Sequence, residues 1–160
     1  MRRLGSVVVL TVTTAIAACG SGSPPSPGAA AVIAVTAAPS TIAGALCTGC
    51  GAGSTDREAA TTLTVQESAG VSATVTAIEM TLREQGTNAV IASGSFEGAA
   101  VTQLAGSNRV TARGQLSLRC GVHYAAGQAG KAAVLTYLVR ALDEKGNQIA
   151  QSLAVSVTST

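Results

Sequence analysis

The 160-residue chain reads as an all-β protein, a single antiparallel β-sandwich that follows an apolar leader and an unstructured tether. Three observations lead there. Apolar residues recur with a period of two at Leu63 and Val65, from Val71 to Ala77, and from Ala133 to Val157; this is the spacing of strands with a covered face. Turn chemistry separates these stretches at Gln85-Gly86-Thr87-Asn88 and Asp143-Glu144-Lys145-Gly146-Asn147, where Gly and Asn tolerate positive φ. The apolar content is Ala, Val, Leu and Ile beside abundant Thr, while the aromatic residues are only Phe96, Tyr124 and Tyr137. Residues 31–160 suffice for one domain, not two.

Taken in order, Ala31–Ala37 is a first short strand, stopped by Pro39, which cannot donate to a ladder. Thr61–Glu67 alternates with Leu63 and Val65 on one face, and the period resumes at Val71, Ala73, Val75 and Ala77. The apolar phase then moves to Ile78, Met80 and Leu82, as a bulge near Ala77 or Ile78 would cause, because one extra residue reverses the inward face. A helix over Ile78–Glu84 is the alternative, but the Val and Thr upstream favour strand. Ala89–Ser93 is the return strand. Ser95–Gly106 is the least regular stretch and is expected to be a loop with a short helical turn. Arg109–Ala112 and Gly114–Cys120 are strand pieces around a glycine. The closing hairpin pairs 133–142 with 149–157 across the Asp143–Asn147 turn, which has too few oxygen ligands for a calcium site. Roughly six to eight short strands make the sandwich.

The pattern from Val134 to Asn147, followed by an alternating strand, resembles the closing hairpin of immunoglobulin-like and fibronectin-III-like modules on bacterial surface proteins. The resemblance is strongest over residues 61–82 and 131–158. It implies an immunoglobulin-like sandwich used as a binding or structural module. The antibody-type Cys…Trp…Cys framework is absent, because the chain has no Trp.

At the other end, Met1-Arg2-Arg3 precedes the apolar or small run Leu4–Ala18, which is shorter than the ~20 residues of a comfortable membrane span. Charge, short apolar run and small residues make a secretory signal peptide over 1–18. Ile16-Ala17-Ala18-Cys19 resembles the lipobox of bacterial lipoproteins; an ordinary signal peptide with an incidental cysteine is the alternative. The resemblance implies cleavage before Cys19, diacylglycerol on its thiol and an acyl chain such as palmitate on its amine. Two or more chains make anchoring stable. The expected location is the bacterial cell envelope, at the outer membrane or cell surface. Residues 19–30, rich in Gly, Ser and Pro, then form a leash that could hold a domain roughly 30 Å from the lipid.

Arg2 and Arg3 leave with the signal peptide, so the mature chain carries eight Lys and Arg against eight Asp and Glu. A neutral, sparsely charged chain argues against nucleic acid, and the scarcity of aromatic rings weakens base stacking and carbohydrate binding. No phosphate loop and no small-molecule substrate signature is evident. The expected partners are the membrane, through the lipid, and an envelope or extracellular protein.

The one chemical constellation is Cys47-Thr48-Gly49-Cys50 with Cys120-Gly121-Val122-His123. As C-x₂-C…C-x₂-H it matches a Cys₃His zinc site, making zinc the alternative to a protein without a cofactor. An oxidising compartment favours disulfides instead. A bond from Cys47 or Cys50 to Cys120 closes a loop of roughly 70 residues, worth ~4 kcal/mol, against ~2 kcal/mol for a local Cys47–Cys50 bond. The long staple is therefore preferred. A haem signature fails because Gly51 follows Cys50, and no βαβ pattern supports thioredoxin-like chemistry. His123 with a serine and Asp56 or Asp143 lacks a nucleophile elbow, so no catalytic residues are assigned and the chain reads as a non-enzyme. Glu58, Glu67, Glu79, Glu84 and Glu97 are scattered and expected mostly at solvated edges or turns.

Overall fold

The structure, a computed structural model, describes residues 28–47, 57–125, 127 and 130–158. The described residues form ten strands and one helix: β1 Ile33–Ala38, β2 Thr41–Ala43, β3 Ala45–Leu46, β4 Arg57–Glu67, β5 Ala73–Glu84, β6 Val90–Glu97, α1 Gly98–Ala105, β7 Arg109–Val110, β8 Gln115–Tyr124, β9 Ala133–Asp143 and β10 Gln148–Thr158. The all-β class holds. The excess over the expected strand number comes from β2, β3 and β7, which are too short to show a period.

Two sheets form. In the first, β4 pairs β8 along one edge and shares its other edge between β1 and β3. The second has the order β2-β10-β9-β5-β6, with β7 also on β5. Every pairing is antiparallel except β2 with β10. The chain therefore leaves the first sheet after β1, joins the second as β2, and returns as β3 within a few residues.

The alternation sets the buried faces. Ala59, Leu63 and Val65 of β4 and Leu116, Leu118, Cys120 and Val122 of β8 share one core with Ile78, Met80 and Leu82 of β5 and Leu135, Tyr137 and Val139 of β9. Fully burying each such aliphatic side chain contributes about 1.5–3 kcal/mol. The expected bulge is present: the β5–β9 register shifts between Val75 and Ala77, so Ala77 and Ile78 are both buried and the inward phase changes from odd to even. Ile78–Glu84 is strand, not helix.

The irregular stretch divides. Ser95–Glu97 completes β6, and 98–105 is a helix that buries Val101 and ends at Gly106 in the left-handed region. A single buried apolar residue in eight explains why no helical period stood out. The Gln85–Asn88 turn has Gly86 and Asn88 at positive φ, as does Gly146 in the closing turn.

Candidate functional site

The strands bring only part of the sequence constellation together. On β8 the even-numbered residues from Leu116 to Tyr124 face the core, and Arg119 and His123 are exposed. Cys120 and His123 are three residues apart, so they lie on opposite faces of the strand, as a period of two requires. They do not share a metal position, and no group of three metal-ligating side chains exists among the described residues. The sequence spacing suits convergence from a turn; on a strand it separates the two groups.

Cys120 is a free, buried thiol, which corrects the expected staple. It faces the second sheet, where the Tyr137 hydroxyl donates to its carbonyl at 3.0 Å. Burial pushes the thiol up to about 12, against smaller lowering effects from Tyr137 and Arg119; such a thiol is inert at neutral pH. Cys47 is disulfide-bonded, and because Cys120 is free the bond is not the long cross-link. Cys50 and Cys19 lie outside the described residues. Cys47 Sγ is instead 3.9 Å from His123 Nε2.

Around that contact lies a charged cluster on the outer face of the first sheet. Glu58 stands opposite His123 in the β4–β8 register. Arg119 reaches past the Ala60–Gly121 rung to hold Glu58 with two hydrogen bonds, 2.9 and 2.7 Å. The rung has to be narrow, since a Cβ on Gly121 would overlap Ala59 and Ala60. Arg119 lowers the Glu58 pKa by hydrogen bonding; burial opposes this, and the Arg119 and His123 charges add to the lowering. Between β6 and β8 this rim borders a groove of about 380 Å³, whose lining includes Met80, Phe96 and Val122.

Two carboxylates that the sequence placed in solvent or a plain turn are buried. Glu67 accepts backbone N–H groups of Val32 and Ala69 on one oxygen and of Gly70 and Arg113 on the other. Burial alone would raise its pKa, but the four N–H donors outweigh it and leave the group lowered. Asp143 accepts from Asn147 through both side chain and backbone, and from the backbone of Ala31 and Lys145. Its pKa falls to about 2, with the Asn147 side chain the largest cause and the backbone donors outweighing burial. Both oxygens thus face N–H donors, not a cation. Ala31 and Val32, just before β1, are held at one pole, and the Cys47–His123 cluster lies at the other end of β4. Asp143 and His123 are accordingly far apart in register and form no triad; Asp56 lies outside the described residues. The signal for both carboxylates was in the sequence: Glu67 is in phase with Leu63 and Val65, and Asp143 with Val139 and Ala141.

No family model matches the chain, and no curated protein matches it. Its likeness is to solved structures. The X-ray structure of the structural-genomics target SoR45 has a TM-score of 0.51 at 6% identity, covering 81% of this chain and 86% of its own. The crystal structure of a Bordetella pertussis protein described as a putative ApaA protein has a TM-score of 0.51 at 11% identity, covering 85% of this chain and 95% of its own. At these identities the likeness shows the all-β fold alone.

Proposed function

We propose that this chain is a lipid-anchored protein of the bacterial cell envelope, presenting an immunoglobulin-like β-sandwich as a binding or structural module. The Ile16-Ala17-Ala18-Cys19 sequence carries the reading. No helix among the described residues is long and apolar enough to cross a membrane. The pinning of Ala31 and Val32 by Asp143 and Glu67 gives a leash from residues 19–30 a fixed point of attachment. That pole then faces the lipid, and the Glu58, Arg119 and His123 cluster at the other end of β4 faces away, toward an envelope or extracellular protein. Cys19→Ser, followed by cell fractionation and palmitate labelling, tests this: the variant loses label and leaves the membrane fraction. Undiminished membrane association would overturn the assignment.

The Cys47–His123 contact favours a second reading, a thiol-active envelope protein. Here the Cys47 bond is the local one to Cys50, and the His123 ring beside Cys47 Sγ would hydrogen-bond the sulfur released on reduction. Equilibration with glutathione buffers discriminates. A structural bond resists reduction with a potential below about −300 mV, whereas an exchanging one lies higher.

A further inference from the structure

We propose that β6 pairs with β6 of a second copy of this chain, antiparallel about a twofold axis near Gly94, joining the two larger sheets into one. β6 is an edge: it pairs β5 on one side only. From Val90 to Phe96 it carries no charge and no Pro, two of the devices that blunt an exposed edge, while β8 and α1 pack beside it. The other free edges differ. β8 presents Arg119 and His123 along its exposed face, β2 is three residues long, and β10 is already paired by β2 at its end.

Charge selects the second copy as the occupant. Glu58, Glu79, Glu84 and Glu144 each have a basic partner, and Glu67 and Asp143 are enclosed by N–H donors. Among the described residues, Glu97 is the carboxylate left with neither, and it is exposed at the end of β6. At the opposite end Val90 pairs with Arg83, whose guanidinium donates to the Asn88 carbonyl and, among the described residues, to no carboxylate. Within one chain Glu97 is in register with Ala77, six residues from Arg83 and so about 20 Å along β5. The two charges cannot meet internally. An axis near Gly94 sets Ser93 opposite Ser95 of the second copy, and carries each Glu97 to the second copy's Val90–Ile91 end, beside its Arg83. Opposite-sign ends make β6 complementary to itself in the antiparallel sense and not in the parallel one. β10 lacks this property, since no charged residue lies at its Thr158 end. The proposal does not depend on the lipid anchor, although a common membrane would raise the effective concentration of the pair.

Strand pairing alone buries less than the ~1,200 Å² of a standard interface, so the test is a zero-length cross-link on the full chain. In the Arg83→Lys variant, carbodiimide should join the amine introduced at position 83 of one copy to Glu97 of another, giving a species of twice the mass whose digest contains the 83–97 cross-linked peptide. Arg83→Lys with Glu97→Lys should lose that peptide, and the exchange Arg83→Glu with Glu97→Lys should regain it. Circular dichroism verifies that each variant is folded. Absence of the 83–97 peptide from both folded variants that carry opposite charges at the two positions would overturn the proposal.

Discussion

Replacing Glu67 by Gln keeps the shape of the side chain and changes one oxygen into an N–H₂ group. In the fold, one carboxylate oxygen takes the N–H of Val32 at 3.2 Å and of Ala69 at 2.7 Å, and the other takes Gly70 at 2.9 Å and Arg113 at 2.8 Å. Whichever way the amide turns, two backbone donors face another donor. Each such bond to a charged group is worth about 1.5–3 kcal/mol, and a donor left without a partner costs about 1–3 kcal/mol. Glu67→Gln should therefore destabilise by about 2–5 kcal/mol at pH 7, a large share of the 5–15 kcal/mol typical of a domain. At about 2 kcal/mol/M the urea midpoint moves down by about 1–2.5 M. The pH dependence follows from the lowered pKa of Glu67, ordinarily 4.5. Its stabilising effect is complete above the unfolded value and is lost as pH falls through the folded one. The gap between wild type and variant should then narrow below about pH 4.5. A variant within about 0.5 kcal/mol of wild type at pH 7, or a gap that acid leaves unchanged, would refute the account of Glu67 as the lock on Val32 and the Arg113 turn.

Other substitutions probe other parts of the fold. Asp143→Asn should lower the melting temperature at pH 7, with the difference closing as pH falls from about 4 toward 2; a constant difference across that range contradicts the N–H cage. Tyr137→Phe removes the donor to the Cys120 carbonyl and should cost about 1–3 kcal/mol in a denaturant melt. Gly121→Ala should destabilise more than Gly127→Ala, because of the two only Gly121 has a neighbouring strand that a Cβ would overlap; equal melts would contradict the narrow rung. Cys120→Ala should cost about 1–2 kcal/mol as a small core cavity, and the loss should be the same with and without reductant, in contrast to a staple.

Period and turn chemistry made most of this fold legible. The phase change from Val75 to Ile78 pointed to a bulge, and the Asp143–Asn147 residues to the closing turn, because both are local consequences of strand geometry. Elements of two or three residues have no period to read. β2 and β3 exist because the chain crosses between sheets at Thr41–Leu46, a fact about neighbours far away in sequence. The site was less legible for a related reason. C-x₂-H suits a metal site when it sits in a turn, but Gln115–Tyr124 is one strand, so Cys120 and His123 diverge. The preference for a long disulfide rested on loop entropy, which takes no account of the direction in which a side chain points; Cys120 points into the core. Glu67 and Asp143 could have been found, since both keep the apolar phase of their strands. What no pattern revealed was that backbone N–H groups from separate segments of the chain would gather around each of them.

The reading of the whole chain rests on Cys19, and the most direct test is the intact mass of the protein isolated from bacterial membranes. The account predicts a chain that begins at Cys19 and carries the added mass of a diacylglyceryl group and an amide-linked acyl chain. A chain cleaved elsewhere, or one beginning at Cys19 without lipid, would contradict it.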